Sequence, residues 1–292
     1  DYTCNITGSG ATQPWRESET GVEPTAITKV VVGNGVTNIG EFACDGLSQV
    51  KEYNIAASVE QIGPWGVCGQ NAETYNLNDS THYKVTKDGV LMSANEKTLV
   101  SYPGGKRAVD EYVIPNTVKT ILAGAFVGCD AKKVVIPSSV TNFPRFSFGG
   151  STVEEIEFNA TVDTLEGGAF SGLSKLKSLV FGGTTLKEIQ GQACSNLSSL
   201  TEITFPDSLK TIGPQAFKVL PADGAAAPNL KKVTFGKRMS TIGDVVFLRQ
   251  SALEVIDMTH CENLTDVGLF SSRDFDGNEE TPYTNTPIVY TA

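Results

Sequence analysis

The sequence predicts a solenoid of about ten rungs, each a very short parallel β-strand followed by a turn and a return stretch. Three observations carry that expectation. One seven-residue phrase recurs along the chain, the recurrences keep a period near 23 residues, and a β-branched or aromatic tripeptide stands upstream of each. A fixed period in that range belongs to stacked-repeat architectures, in which each unit buries its faces against its neighbours.

The phrase reads "TIGPQAF" at 211–217, "NIGEFAC" at 38–44, "QIGPWGV" at 61–67, "EIQGQAC" at 188–194 and "TIGDVVF" at 241–247. Aligned by their last residue, the copies end at Cys44, Val67, Phe126, Phe148, Phe170, Cys194, Phe217 and Phe247, with gaps of 23, 59, 22, 22, 24, 23 and 30. The gap of 59 holds a foreign segment around 78–110, and the gap of 30 holds "PADGAAA", 221–227. One coil alone cannot bury enough apolar surface to offset the entropy of ordering it. The phrase therefore repeats because every coil offers its neighbours the same cross-section.

The strand tripeptides are "VVV" at 30, "YNI" at 53, "YNL" at 75, "YVI" at 112, "VVI" at 134, "IEF" at 156, "LVF" at 179, "ITF" at 203, "VTF" at 233 and "IDM" at 256. Their outer residues point inward with period two, as in a half-buried strand. A turn residue follows each: Gly33, Ala56, Asn78, Pro115, Pro137, Asn159, Gly182, Pro206, Gly236 or Thr259. Proline lacks the amide that would extend a ladder, and Gly or Asn accepts the bend, so the strands stop after about three residues. Apolar residues such as Val36, Val59, Val118, Val140 and Leu209 then turn inward, followed by Ile39, Ile62, Ile121, Phe143 and Ile212. In the inserted segment Asp88-Gly89 makes a turn, "VLM" and "TLVSYP" alternate as strands, and "SANEK" joins them. That is a hairpin emerging from the solenoid.

A unit reading strand, Pro, x-x-Val-x-x-Ile-x-x-x-Ala-Phe, x-x-Cys or Leu resembles the BspA-like leucine-rich repeat family of bacterial surface proteins. "VVIPSSVTNFPRFSF" (134–148), "ITFPDSLKTIGPQAF" (203–217) and "YVIPNTVKTILAGAFVGC" (112–129) carry the likeness, which covers about residues 27–270. The segment "YKVTKDGVLMSANEKTLVSYPGGKRAVDEYVIP", 83–115, is similar to the accessory hairpin module that interrupts this family's repeats. The fold class is then an α/β-type leucine-rich-repeat solenoid of mostly short parallel β-strands with a β-hairpin insertion. Its expected boundaries are 1–25 for an N-terminal cap or tail, 26–270 for the solenoid and 271–292 for a C-terminal cap or tail. Gly-Val replaces Ala-Phe at 66 and 67, "PRFSF" replaces the Ile-Gly-led phrase, and the tenth rung runs into "CENLTDVGLF", so packing is expected to depart locally there. The resemblance implies binding rather than catalysis. It points to an exported, cell-surface or secreted protein engaged in adhesion to host or matrix proteins or to another cell.

Composition narrows the partners. Lys and Arg number 23 against 33 Asp and Glu, a formal charge of -10, which repels phosphate backbones and anionic lipid. Nucleic acid is therefore excluded as a partner. The longest apolar-leaning run, "ILAGAFVGC" at 121–129, is far below the ~20 residues of a membrane span, so no transmembrane segment is expected in this chain. With no basic and apolar leader at its start, the chain reads as cytosolic or as one whose export signal has been removed; the resemblance favours the second. Six cysteines at 4, 44, 68, 129, 194 and 261 include no CxxC pair, so they imply neither a zinc site nor a disulfide framework and read as small buried hydrophobes.

Catalysis would need reactive residues to converge. His82, beyond the third rung, and His260, in the tenth, are seven rungs or roughly 33 Å apart at about 4.7 Å per step, and no nucleophile-elbow phrase accompanies either. No metal centre and no cofactor is expected. The residue before each strand gives the column Lys29, Glu52, Thr74, Glu111, Lys133, Glu155, Ser178, Glu202, Lys232, Val255, where opposite charges face each other: Lys29 beside Glu52, Lys133 between Glu111 and Glu155, Glu202 beside Lys232. Such cross-strand pairs suit register better than acid–base work. The central exposed column runs Val31, Asn54, Asn76, Val113, Val135, Glu157, Val180, Thr204, Thr234, Asp257, apolar in its middle and polar at its ends, with no adjacent carboxylates. From Val113 to Asp257 it is the candidate ligand-binding strip for a protein or surface glycan; ordinary β-propensity is the plainer reading. Two alternatives stay open: a carbohydrate-active enzyme or glycan-binding protein with an acidic groove, whose acids would be Glu155, Glu157 and Glu202, and a structural spacer.

Overall fold

The computed structural model describes residues 2–12, 23–106, 108–220 and 228–268. The 221–227 insertion, the 271–292 tail, and residues 13–22 of the expected N-terminal cap lie outside the described residues. The chain divides into two compact units, 1–110 with 115–131 and 146–151, and 111–114 with 132–145 and 152–292.

In the first unit, the strands Tyr2–Ile6, Ile27–Val32, Glu52–Ile55 and Thr74–Asn76 form a parallel ladder. Its register stacks Cys4, Val30, Tyr53 and Tyr75 inward, while Val31, Asn54 and Asn76 form the outward column. Tyr2–Ile6 thus adds a strand ahead of the ten expected ones. After each strand the chain turns: the Gly33 carbonyl accepts from the Val36 amide at 3.4 Å and Ala56 from Val59 at 3.1 Å. A second parallel ladder follows, built from Gly10–Ala11, Val36–Ile39 and Gln61–Ile62.

The insertion contains the expected hairpin and one strand more. Tyr83–Val85 pairs antiparallel with Leu91–Ser93, which pairs antiparallel with Thr98–Ser101, and the last runs parallel with Thr120–Ile121 of the next coil. It does not stand out from the coils as an arm. Leu91, Met92, Leu99 and Ser101 are wholly inaccessible, and the Ser101 hydroxyl lies 2.8 Å from the Tyr75 hydroxyl. Those apolar side chains gain more from the coil interior than from solvent, so the inserted strands dock on it.

In the second unit, Glu111–Val113, Lys133–Ile136, Glu155–Phe158 and Ser178–Phe181 form one ladder. Glu202–Thr204, Lys232–Thr234 and Val255–Asp257 form another, with Glu202–Thr204 lying beside Ser178–Phe181. The return ladder is Thr164–Leu165, Glu188–Ile189, Thr211–Ile212, Thr241–Ile242 and Asp266–Val267. Each proline turn closes as expected: the carbonyls of Pro115, Pro137 and Pro206 accept from Val118, Val140 and Leu209 at 3.0, 3.1 and 3.1 Å. All ten tripeptides lie on strands to within one residue.

The helical half of the α/β label is not realised. Among the described residues the one helical element is a 3-10 turn, Pro24–Ala26. Where a helix could run, each coil has a wide turn, and the backbone angles explain it. The third residue from the end of every aligned phrase is left-handed: Phe42 (φ 58°), Trp65 (55°), Gly124 (81°), Phe146 (54°), Gly168 (81°), Gln192 (61°), Gln215 (57°) and Val245 (46°). A left-handed residue at this place, joined in most coils by a second four residues on (Gly46, Gly128, Gly150, Gly172, Asn196, Arg249), halts right-handed helix propagation. Cys44, Cys68, Cys129 and Cys194 are buried and Cys4 and Cys261 half-buried, all as free thiols.

Candidate functional site

Strand alternation aims the middle residue of each tripeptide outward. Val113, Val135, Glu157 and Val180 pair in register across one ladder, and Thr204, Thr234 and Asp257 across the other. Val113 is 53% exposed and Val180 51%, while Val135 and Glu157 are half-buried. These two valines are the largest apolar surfaces on this face of the second unit.

Charges fix the face around them. Lys133 Nζ lies 3.0 Å from a Glu111 oxygen and 3.4 Å from a Glu157 oxygen. The expected partner Glu155 does face Lys133 in register, but the lysine turns diagonally to the central column. Glu157 is held there because its carboxylate also accepts from the Asn159 amide at 3.0 Å. Asn159 first, and Lys133 after it, keep the Glu157 carboxyl below the usual carboxylate range. Asp257 accepts from the Thr259 amide at 3.0 Å and its hydroxyl at 2.8 Å, which holds that carboxyl low as well. Glu202 and Lys232 are opposite in register without closing to ion-pair distance. In the first unit the same face carries an amide relay: Asn76 Nδ2 donates to Asn54 Oδ1 at 2.9 Å, Asn54 Nδ2 to Glu52 at 2.8 Å, and Lys29 pairs with Glu52 at 3.0 Å.

A proton-donating carboxylic acid needs its pKa raised toward neutrality. Glu157, one of the three acids of the enzymatic alternative, is shifted the other way. Glu155 shares its strand, and Glu202 lies on the strand beside Ser178–Phe181. His82 and His260 are exposed and belong to different units. Among the described residues no three His, Cys, Asp or Glu side chains gather as metal ligands would. No helix among them is long and apolar enough to cross a membrane.

A cavity of about 440 Å³ in the first unit was not foreseen from the residues. Ile39, Ile62, Val100 and Leu122 line it together with Tyr83, Glu41 and Glu60. Its one sequence signal is the foreign segment itself, which interrupts the return ladder at that point.

Short parallel strands, turn-closed coils and outward columns in register define a leucine-rich-repeat β-solenoid, a class whose surface rather than an enclosed centre meets ligands. The family model described as the BspA type leucine rich repeat region matches in six copies over residues 23–94 and 105–221, more than half of the chain, and the chain belongs to that family. No curated protein matches it in sequence. Among solved structures, it is similar to a leucine-rich repeat protein from Eubacterium ventriosum (21% identity, covering 74% of this chain and 89% of that one, TM-score 0.39). It is also similar to the pneumococcal vaccine antigen PcpA (18%, 79% and 56%, 0.47) and to a leucine rich cell surface protein from Faecalibacterium prausnitzii (21%, 86% and 62%, 0.43). The chain spans less than two thirds of the latter two.

Proposed function

We propose that this chain is a non-enzymatic binding protein, secreted or displayed at a bacterial cell surface, that adheres to a host, matrix or cell-surface protein through its outward strand column. Val113, Val135, Glu157, Val180, Thr204, Thr234 and Asp257 form the contact strip. The observation that carries the reading is the pair of half-exposed valines, Val113 and Val180, set on a ladder in which Lys133 is already paired with Glu111 and Glu157. Exposed apolar side chains on a rigid polar face are what a protein partner desolvates first. Membership of a family associated with bacterial surfaces supports the compartment and the adhesive role.

The test is a solid-phase binding screen against matrix proteins and host cells, followed by Val113→Glu and Val180→Glu in the chain that binds. Each substitution is expected to weaken capture by about tenfold or more while the melting temperature stays put, since both side chains are already solvated. Glu155→Gln with Glu202→Gln should leave capture intact. Undiminished capture by the valine variants overturns the reading, as does the lack of any partner together with measured turnover of a polysaccharide.

A further inference from the structure

The return ladder of the first unit has an interruption that leaves backbone groups without a strand partner. Gln61–Ile62 ends the ladder it forms with Val36–Ile39, because Thr98–Ser101 of the next coil pairs antiparallel with Leu91–Ser93 instead. The Tyr83 hydroxyl stands in for the missing strand. It donates to the Glu60 carbonyl at 3.3 Å. One phenol cannot fill the width of a strand, and the 440 Å³ cavity is what remains.

Its floor is apolar: Ile39, Ile62 and Val100 are buried, and Leu122 half-buried. Much of its donor capacity is spent within the protein. Asn38 Nδ2 donates to Gln61 Oε1 at 3.2 Å, Ser93 Oγ to Asn95 Oδ1 at 2.8 Å, and Tyr83 to Glu60. The carboxylates of Glu41 and Glu60 are not spent: no described lysine or arginine lies within ion-pair distance of either, and no basic residue lines the cavity. A carbohydrate needs donors as well as acceptors from its site. A long apolar stem ending in a cation needs an apolar floor and anionic acceptors, which is what this cavity presents.

We propose that this cavity receives a lysine or arginine side chain from an exposed segment of a partner protein. The stem lies along Ile39, Ile62, Val100 and Leu122, and the cationic head is held by Glu41 and Glu60. The site is separate from the outward strand column and does not depend on it.

Isothermal titration with an acetylated, amidated Gly-Val-Lys-Val-Gly peptide tests this, against the same peptide with norleucine in place of lysine. The lysyl peptide is expected to bind about tenfold or more tightly than the norleucine peptide, and to weaken as salt is raised. The double variant Glu41→Gln, Glu60→Gln should bring it down to the norleucine level. Glu155→Gln with Glu202→Gln, the same loss of charge elsewhere, should not; thermal melts of both confirm folding. Absence of lysyl-peptide binding, equal binding of the two peptides, or undiminished binding by a folded Glu41/Glu60 variant would each overturn the proposal. None of these outcomes bears on Val113 or Val180.

Discussion

The rings of Phe126 and Phe148 stack with centroids 4.7 Å apart and planes 7° from parallel. Both end a copy of the recurrent phrase and both are buried, and the Phe126 amide donates to the Ser147 carbonyl at 2.8 Å. The repeat is thereby visible as physics: these two successive coils place the same ring one above the other. Phe148→Ala is expected to cost about 3–5 kcal/mol through lost burial and a residual cavity. Combined with Phe126→Ala it should cost less than the sum by about 0.5–1.5 kcal/mol, the pair's own coupling. Urea unfolding of the two single variants and the double variant measures both quantities; strict additivity would show that the stacking carries no energy of its own.

Val245 sits at φ 46°, a left-handed conformation that a β-branched side chain adopts at a cost of about 1–2 kcal/mol. The equivalent residues of two other coils are Gly124 and Gly168. Val245→Gly is therefore expected to stabilise the chain by about 0.5–1 kcal/mol, the relieved strain less the extra entropy of glycine in the unfolded state. Gly124→Ala should do the reverse and more strongly, because a Cβ there meets the Trp65 ring at 2.9 Å. Thermal melts of both variants check the pair of opposite signs.

These examples mark what was legible in the residues and what was not. Strand positions and column register were readable because inward apolar residues recur with period two and the turn residues Pro115, Pro137 and Pro206 end each ladder at the same place. The left-handed turns were not, although Gly124 and Gly168 mark their position, because Phe42, Phe146 and Val245 hold the same angle without a glycine. Lys133 turned to Glu157 rather than Glu155 because a diagonal reach and the Asn159 hydrogen bond outweigh the opposite position in register. The valines of the outward column could be placed from alternation alone. The Glu41–Glu60 cavity could not, since it comes from where the inserted strands dock rather than from a motif.

Stability should fall at both ends of the pH scale. Glu52, whose carboxyl is held low by Asn54 and Lys29, joins Glu157 and Asp257 in having a folded pKa below the unfolded one. Their contribution is present above the ordinary carboxylate range near ~4 and is lost as pH drops through the folded values. The buried thiols run the other way. Burial pushes Cys129 up to about 12 and Cys44 and Cys194 higher, so their neutral forms favour the fold. That contribution is complete below the unfolded thiol value of ~8.5 and decays above it by about 1.4 kcal/mol per pH unit per thiol. Urea midpoints across pH measure both limbs. Cys194→Ala should lower the neutral midpoint through lost packing yet flatten the alkaline decline; an unchanged alkaline slope would remove the thiols from the account.

Tyr83→Phe tests whether one hydroxyl holds the inserted strands to the interrupted ladder. The Tyr83 hydroxyl donates to the Glu60 carbonyl, and burial pushes its own pKa up. Removing it leaves that carbonyl at a strand edge without its partner, a loss of about 1–3 kcal/mol where it stays dry. The cavity beside it is open enough for water to compensate in part, so the lower end of that range is expected globally. Locally the effect should be larger: amide exchange at Ile62 and along Tyr83–Val85 should accelerate while the ladder from Ile27–Val32 to Thr74–Asn76 stays protected. Exchange that rises equally in both places would mean that the inserted strands and the coils open as one unit, and that the hydroxyl closes no separate door.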